Sequence, residues 1–159
     1  DAQAAYETAN TLNAALLGGV NFMLHSCGWL EGGLVASFEK FVMDADHLGT
    51  LQKMALGVAA DENGQAMGAI REVGPSGHYL GCDHTQQNFK SAFWRSNLFD
   101  YKPFETWYEE GARDTYTLAA ERVAHQLASY RQPPLDPQIL AALEKFVADR
   151  KAAMPDAFV

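Results

Sequence analysis

The alternation of apolar and polar positions opens the chain on a helix. Between Ala2 and Leu17 the positions Tyr6, Ala9, Leu12, Leu16 and Leu17 fall close to one helical face in an Ala-rich stretch, and Gly18-Gly19 ends it. The period then changes. Val20-Asn21-Phe22-Met23-Leu24-His25 is a short apolar run bounded by glycines, which predicts a strand buried on both faces. Helical spacing returns from Leu34 to Met43 through Leu34, Val35, Phe38, Phe41 and Val42. Asp44 is placed to cap a further helix reaching Leu56, with Asp44-Ala45-Asp46 as the joint between the two.

Beyond that point, Asp61-Glu62-Asn63-Gly64 predicts a turn, and Gln65 to Val73 a shorter helix closed by Gly74-Pro75-Ser76-Gly77. Short helical turns are expected over Gln86 to Phe93, and an aromatic loop over Trp94 to Pro103. Phe104 to Tyr130 reads as one long amphipathic helix with Trp107, Tyr108, Leu118, Val123 and Leu127 toward the core. Pro133-Pro134 stops it, and Asp136 caps a last helix from Pro137 to Ala153. A lone buried strand cannot pair its own backbone groups. With the chain opening at Asp1 inside a helical pattern, the expectation is a segment of a larger α/β protein whose other strands precede Asp1.

Composition narrows the partners. With 159 residues, 48% of them hydrophobic, there is apolar material for one core of ordinary domain size. A net charge of -8, from 20 acidic against 12 scattered basic residues, repels phosphate backbones and excludes nucleic acid as an expected partner, while leaving cationic small molecules welcome. No run nears the roughly 20 apolar residues of a membrane helix, and Asp1-Ala2-Gln3 does not resemble an export leader, so no membrane and a cytoplasmic location are expected. Cys27 and Cys82 are too few for a disulfide scaffold and read as reduced thiols.

Two glycine-punctuated segments carry the candidate chemistry: His25-Ser26-Cys27-Gly28-Trp29-Leu30-Glu31-Gly32-Gly33 and His78-Tyr79-Leu80-Gly81-Cys82-Asp83-His84-Thr85. Loops after parallel strands are where barrel and doubly wound enzymes place their reacting groups. His25, Cys27, Cys82 and His84 are the ligand types of a tetrahedral zinc site, but the one-residue spacing within each pair is not the usual one, and buried thiols with satisfied imidazoles are the favoured reading. Trp29 and Glu31 offer an aromatic face and a carboxylate two positions apart, the groups that hold protonated or quaternary amines. A Trp packing on a rim and a Glu capping the next helix is the structural alternative. There is no glycine-rich phosphate loop and no Ser nucleophile elbow.

Longer stretches go further than residue type. Asp1-Ala2-Gln3-Ala4-Ala5-Tyr6-Glu7, Gly18 to His25, Gly28-Trp29-Leu30-Glu31-Gly32-Gly33-Leu34, Ser37-Phe38-Glu39-Lys40-Phe41-Val42 with Asp44, and Glu72 to Leu80 with His84-Thr85, Asn88-Phe89 and the Trp107 helix resemble, in order and spacing, the carboxyl-terminal third of the trimethylamine methyltransferase family. The resemblance implies the α/β class: the C-terminal portion of a (β/α)8 TIM barrel, the segment itself mostly α-helical with one or two strands, spanning residues 1–159 with a helical tail over 104–159. It implies transfer of a methyl group from a tertiary or quaternary amine to the cobalt of a corrinoid carried by a separate corrinoid protein, with no cofactor or metal held by this chain. The founding members contain pyrrolysine; none is written in this sequence, and relatives without it act on quaternary amines, so the glycine betaine class is the expected substrate. On that basis Glu31, His25 and His84 are the catalytic candidates, and Trp29, His78, Tyr79 and Asp83 the substrate-binding ones. Unpaired barrel seams in such a segment predict a homo-oligomer.

Overall fold

The computed structural model describes residues 1–154, and these are mostly helical with one two-stranded sheet. Helix α1 spans Ala2–Leu17 as its pattern predicts; the Asp1 carboxylate accepts from the Ala4 N–H at its start, and Leu12 is its buried residue. The segment after it overturns an expectation. Val20 to His25 forms turns and irregular backbone, with Phe22 78% exposed and Leu24 69%. The reason is a missing partner: the single sheet among the described residues is a hairpin elsewhere, so no ladder is on offer. Instead the Gly19 and Val20 N–H groups donate back to Leu16 and Ala15 carbonyls.

The hairpin pairs β1, Trp29–Leu30, antiparallel to β2, Val35–Ala36, with Trp29 opposite Ala36 and Leu30 opposite Val35. A 3-10 turn at Glu31–Gly33 joins them, all three residues at positive φ (52°, 64° and 93°). β2 takes the residues that helical spacing had assigned to a helix from Leu34. Helix α2 therefore begins later, at Phe38, and runs unbroken to Leu56. The Ser37 hydroxyl caps it by accepting from the Lys40 N–H. The expected joint at Asp44 does not exist, because the Asp44 carboxylate accepts one tertiary hydrogen bond, from the Gly28 N–H, and one from Lys40 a turn earlier in the same helix, and caps nothing.

Helix α3, Glu62–Gln65, stands where a turn was expected; Asp61 caps it, and left-handed Ala66 separates it from α4, Met67–Val73. Helix α5, Asp83–Asn88, starts earlier than predicted. The long helix expected from Phe104 to Tyr130 is two, α6 at Phe104–Glu109 and α7 at Thr115–Ser129. Gly111 and Ala112 turn left-handed between them, φ 100° and 50°, and the Trp107 indole N–H donates to the Arg113 carbonyl across the break. Helix α8, Pro137–Ala153, agrees with its prediction: Asp136 accepts from the Gln138 and Ile139 N–H groups, with proline in the first turn.

Asp114 restarts the chain as a helix by accepting from the Thr117 N–H, and hydrogen bonding from Thr117, its side chain first and its N–H second, holds the Asp114 carboxyl below the ordinary value. A depressed pKa means the cap is fully formed above the unfolded carboxyl's pKa and lost as pH falls through the folded one. Hydrogen-exchange protection at Thr117 is therefore expected to fall on acidification below the normal carboxylate range, and to be insensitive to pH there in Asp114→Asn.

Two compact units emerge, Asp1–Gln126 and Leu127–Val159. The first contains the buried Leu12, Leu51, Ala69, Cys82, Leu98 and Ala119. No helix of the described residues is long and apolar enough to cross a membrane.

Candidate functional site

Within the first unit a cleft of about 470 Å³ opens between α1, α2 and the loop that joins them. That volume suits a small-molecule ligand. Helix α1 contributes Thr8, Thr11 and Leu12, α2 contributes Lys40 and Asp44, and the loop contributes His25, Ser26, Trp29 and Glu31. Three of the residues singled out in the sequence thus share one cavity.

Their local geometry is unusual for their residue types. His25 (φ 56°) and Glu31 (φ 52°) both hold left-handed backbone, a conformation that costs a non-glycine residue about 1–2 kcal/mol. They flank Trp29, whose ring meets the His25 ring edge-on at 5.3 Å and 69°. Trp29 lines the cleft and stays 40% exposed. Strain held at a cleft is a pointer to function.

Beneath this loop lies a polar network that residue patterns did not single out. The Lys40 ammonium donates to Asp44 Oδ2 at 2.5 Å and to Thr8 Oγ1 at 2.7 Å, and the Gly28 N–H donates to the same Asp44 oxygen at 2.8 Å. Lys40 and Asp44 are both buried. The available signal was a Lys and an Asp four apart inside an apolar helical run, where ionisable groups stay only when paired. Next to them, burial pushes the Cys27 thiol up from its ordinary value, with the Asp44 carboxylate adding to the rise and Lys40 opposing it.

The second glycine-rich segment builds something else. His84 Nε2 lies 2.8 Å from the Asn63 carbonyl oxygen, Asn63 and Asn88 exchange side-chain hydrogen bonds at 2.9 and 3.0 Å, and the Asn88 amide donates to the His84 carbonyl. The buried Cys82 sulfur sits 3.2 Å from Thr85 Oγ1. His78, Tyr79, Asp83 and His84 are absent from the lining of this cleft. Nor do His25, Cys27, Cys82 and His84 assemble as ligands: among the described residues no three His, Cys, Asp or Glu side chains are grouped to hold a metal ion.

Sequence comparison bears on the same residues. The family model that matches is described as trimethylamine methyltransferase, over residues 1–155. Glycine betaine methyltransferase of Desulfitobacterium hafniense (strain Y51) is 43% identical over 150 residues, covering 94% of this chain and 31% of that protein. Trimethylamine methyltransferase MttB of Methanosarcina barkeri (strain Fusaro / DSM 804) is 30% identical over 149 residues, 92% of this chain and 29% of its own length. Proline betaine:corrinoid methyltransferase of Eubacterium limosum is 29% identical over 140 residues, 85% of this chain and 28% of that one. The chain spans just under a third of the length of these curated relatives. Because the match runs through α1, the cleft loop and both glycine-rich segments to the end of α8, the chain belongs to the trimethylamine methyltransferase family.

Proposed function

We propose that the protein carrying this chain moves a methyl group from a quaternary amine of the glycine betaine class to the cobalt of a corrinoid borne by a separate protein. In this reading the chain is the C-terminal segment of a (β/α)8 barrel, with residues 104–159 as its helical tail. The observation that supports it most is the cleft loop itself, where left-handed His25 and Glu31 and the half-exposed Trp29 line one cavity with an imidazole, a carboxylate and an aromatic ring. The 43% identity to a glycine betaine methyltransferase favours that substrate class over trimethylamine.

The chemistry asks little of a proton donor. A quaternary nitrogen is already positive, so the methyl carbon–nitrogen bond can break with its electron pair going to nitrogen, and the amine departs neutral. The corrinoid supplies the nucleophile. This chain's residues then have three tasks: Trp29 holds the cation on its π face, Glu31 offsets the charge, and His25 orients the substrate so that the methyl group points outward. The cleft volume accommodates a small amine, leaving the corrinoid on its own protein. His78, Tyr79, Asp83 and His84 remain proposed contributors from a segment separate from the cleft lining.

The test is methyl transfer to added cob(I)alamin by the full-length gene product, with glycine betaine and trimethylamine compared side by side. Demethylation of glycine betaine is expected, and transfer from neither amine would overturn the reading. The 159-residue chain alone is expected to be inactive and to self-associate in gel filtration, because Phe22, Leu24, Phe38 and Phe41 leave apolar area uncovered. A monodisperse monomer would count against that part.

A further inference from the structure

We infer that Lys40 and Asp44 are positioning residues whose buried pair, acting through the Gly28 N–H, sets the backbone on which His25, Trp29 and Glu31 face the cleft. Three elements meet at this pair. Lys40 ties α2 to α1 through Thr8, and Asp44 ties α2 to the loop through Gly28. Gly28 is held at both of its backbone polar groups, since its carbonyl also accepts from the Ser37 N–H at 2.9 Å. The loop is thereby fixed immediately before Trp29.

The contact is close enough to require glycine. Gly28 sits at φ 81°, and a Cβ built there would lie 3.0 Å from Phe41 Cβ, 3.2 Å from the Ser37 carbonyl oxygen and 3.3 Å from Phe41 Cα. Two of those atoms are backbone and the third is a first side-chain carbon, so none can swing aside. The loop backbone therefore rests directly on α2, one helical turn from Asp44. Stability alone is a weak reason for such a pair, because buried ion pairs are often no more stabilising than apolar residues of the same volume. What the pair supplies that apolar residues could not is an acceptor for the Gly28 N–H. Both residues also line the cleft, so the device lies under the ligand it serves.

Cys27, adjacent to Gly28, provides a reporter that does not depend on methyl transfer. Its thiol senses both charges, and its partial burial depends on the loop staying down. The experiment alkylates the full-length protein with iodoacetamide across pH, reading Cys27 by peptide mass so that Cys82 does not contribute. The high-pH plateau, where the thiol is fully ionised, reports access; the midpoint reports burial first and the neighbouring charges second. In Gly28→Ala and Asp44→Leu, the second of which leaves the Gly28 N–H without its acceptor, the plateau rate is expected to rise severalfold, and kcat for glycine betaine to fall tenfold or more while KM changes less. Both variants should move the midpoint down as burial is relieved, and Asp44→Leu further, since the anion is gone as well.

An unchanged Cys27 plateau in both variants would overturn the inference. So would a normal kcat in a variant whose loop has opened. Gly28→Ala keeps the pair and its charges, so the test survives if Asp44→Leu fails to fold. The kinetic arm rests on the proposed methyl transfer, but the alkylation arm does not: wild-type protein inactive toward every amine with a Cys27 plateau that still responds would sink the function and leave the positioning role standing.

Discussion

Lys40→Met is expected to destabilise the protein by about 3–5 kcal/mol, read as a shifted midpoint in urea unfolding. The Asp44 carboxylate would be left buried with only the Gly28 N–H as partner, and an uncompensated buried charge is among the costliest single changes a fold can suffer. The Lys40 and Asp44 side chains are 10% and 8% exposed, so little water is available to take over. Adding Asp44→Asn to Lys40→Met should recover most of the loss, because asparagine carries no charge and still offers an oxygen to Gly28. The comparison pair is Lys145–Asp149, with the same four-residue spacing but side chains 75% and 63% exposed. Removing Lys145 should be nearly silent in the same experiment, since water already solvates both ends. Similar losses for the two pairs would show that the Lys40 pair is not buried in solution.

Changes at Glu31 are expected to separate stability from activity. Glu31→Gln should lower kcat/KM for glycine betaine roughly tenfold in the full-length protein, about 1.4 kcal/mol, a modest figure because the carboxylate is exposed and its field is screened. Glu31→Gly should lower activity as much while raising unfolding free energy by about 0.5–1 kcal/mol. Relief of left-handed strain contributes about 1–2 kcal/mol and the extra freedom of glycine in the unfolded chain takes part of it back. A protein that tolerates strain at one residue of a cleft, and becomes more stable and less active when it is removed, is holding that residue for function. Unchanged kinetics in both variants would remove Glu31 from the site. A loss of stability in Glu31→Gly would show that its side chain is held by packing.

Part of the candidate site was legible, and the misses have two causes. His25, Trp29 and Glu31 stood out because glycines, an aromatic ring and a carboxylate were crowded into one loop, and they do line one cleft. His78, Tyr79, Asp83 and His84 looked equivalent by composition, yet His84 turns to the Asn63 carbonyl and its neighbours lie outside that lining. Composition registers residue type; it carries no information on which of two similar loops reaches a given cavity. Lys40 and Asp44 were overlooked for the opposite reason, since an i,i+4 pair usually marks a solvated helix face. Asp44 looked like a cap because aspartate commonly is one, and only its hydrogen bond to a residue sixteen positions away shows otherwise.

The residues alone determined α1 and α8, with their Asp1 and Asp136 caps, the glycine-bounded character of the cleft loop, and membership of the family. Each depends on side chains within about four positions, or on the order of motifs along the chain. Tertiary structure alone decided that Val20 to His25 would not be a strand, that β2 would replace the start of a helix, that the long helix would break at Gly111 and Ala112, and that Lys40, Asp44 and Gly28 would meet. Strand formation needs a partner ladder, and the Gly28 N–H needs the acceptor that Asp44 supplies from sixteen positions away. Neither requirement is written in the local pattern, because both are met by atoms that only folding brings within 3 Å.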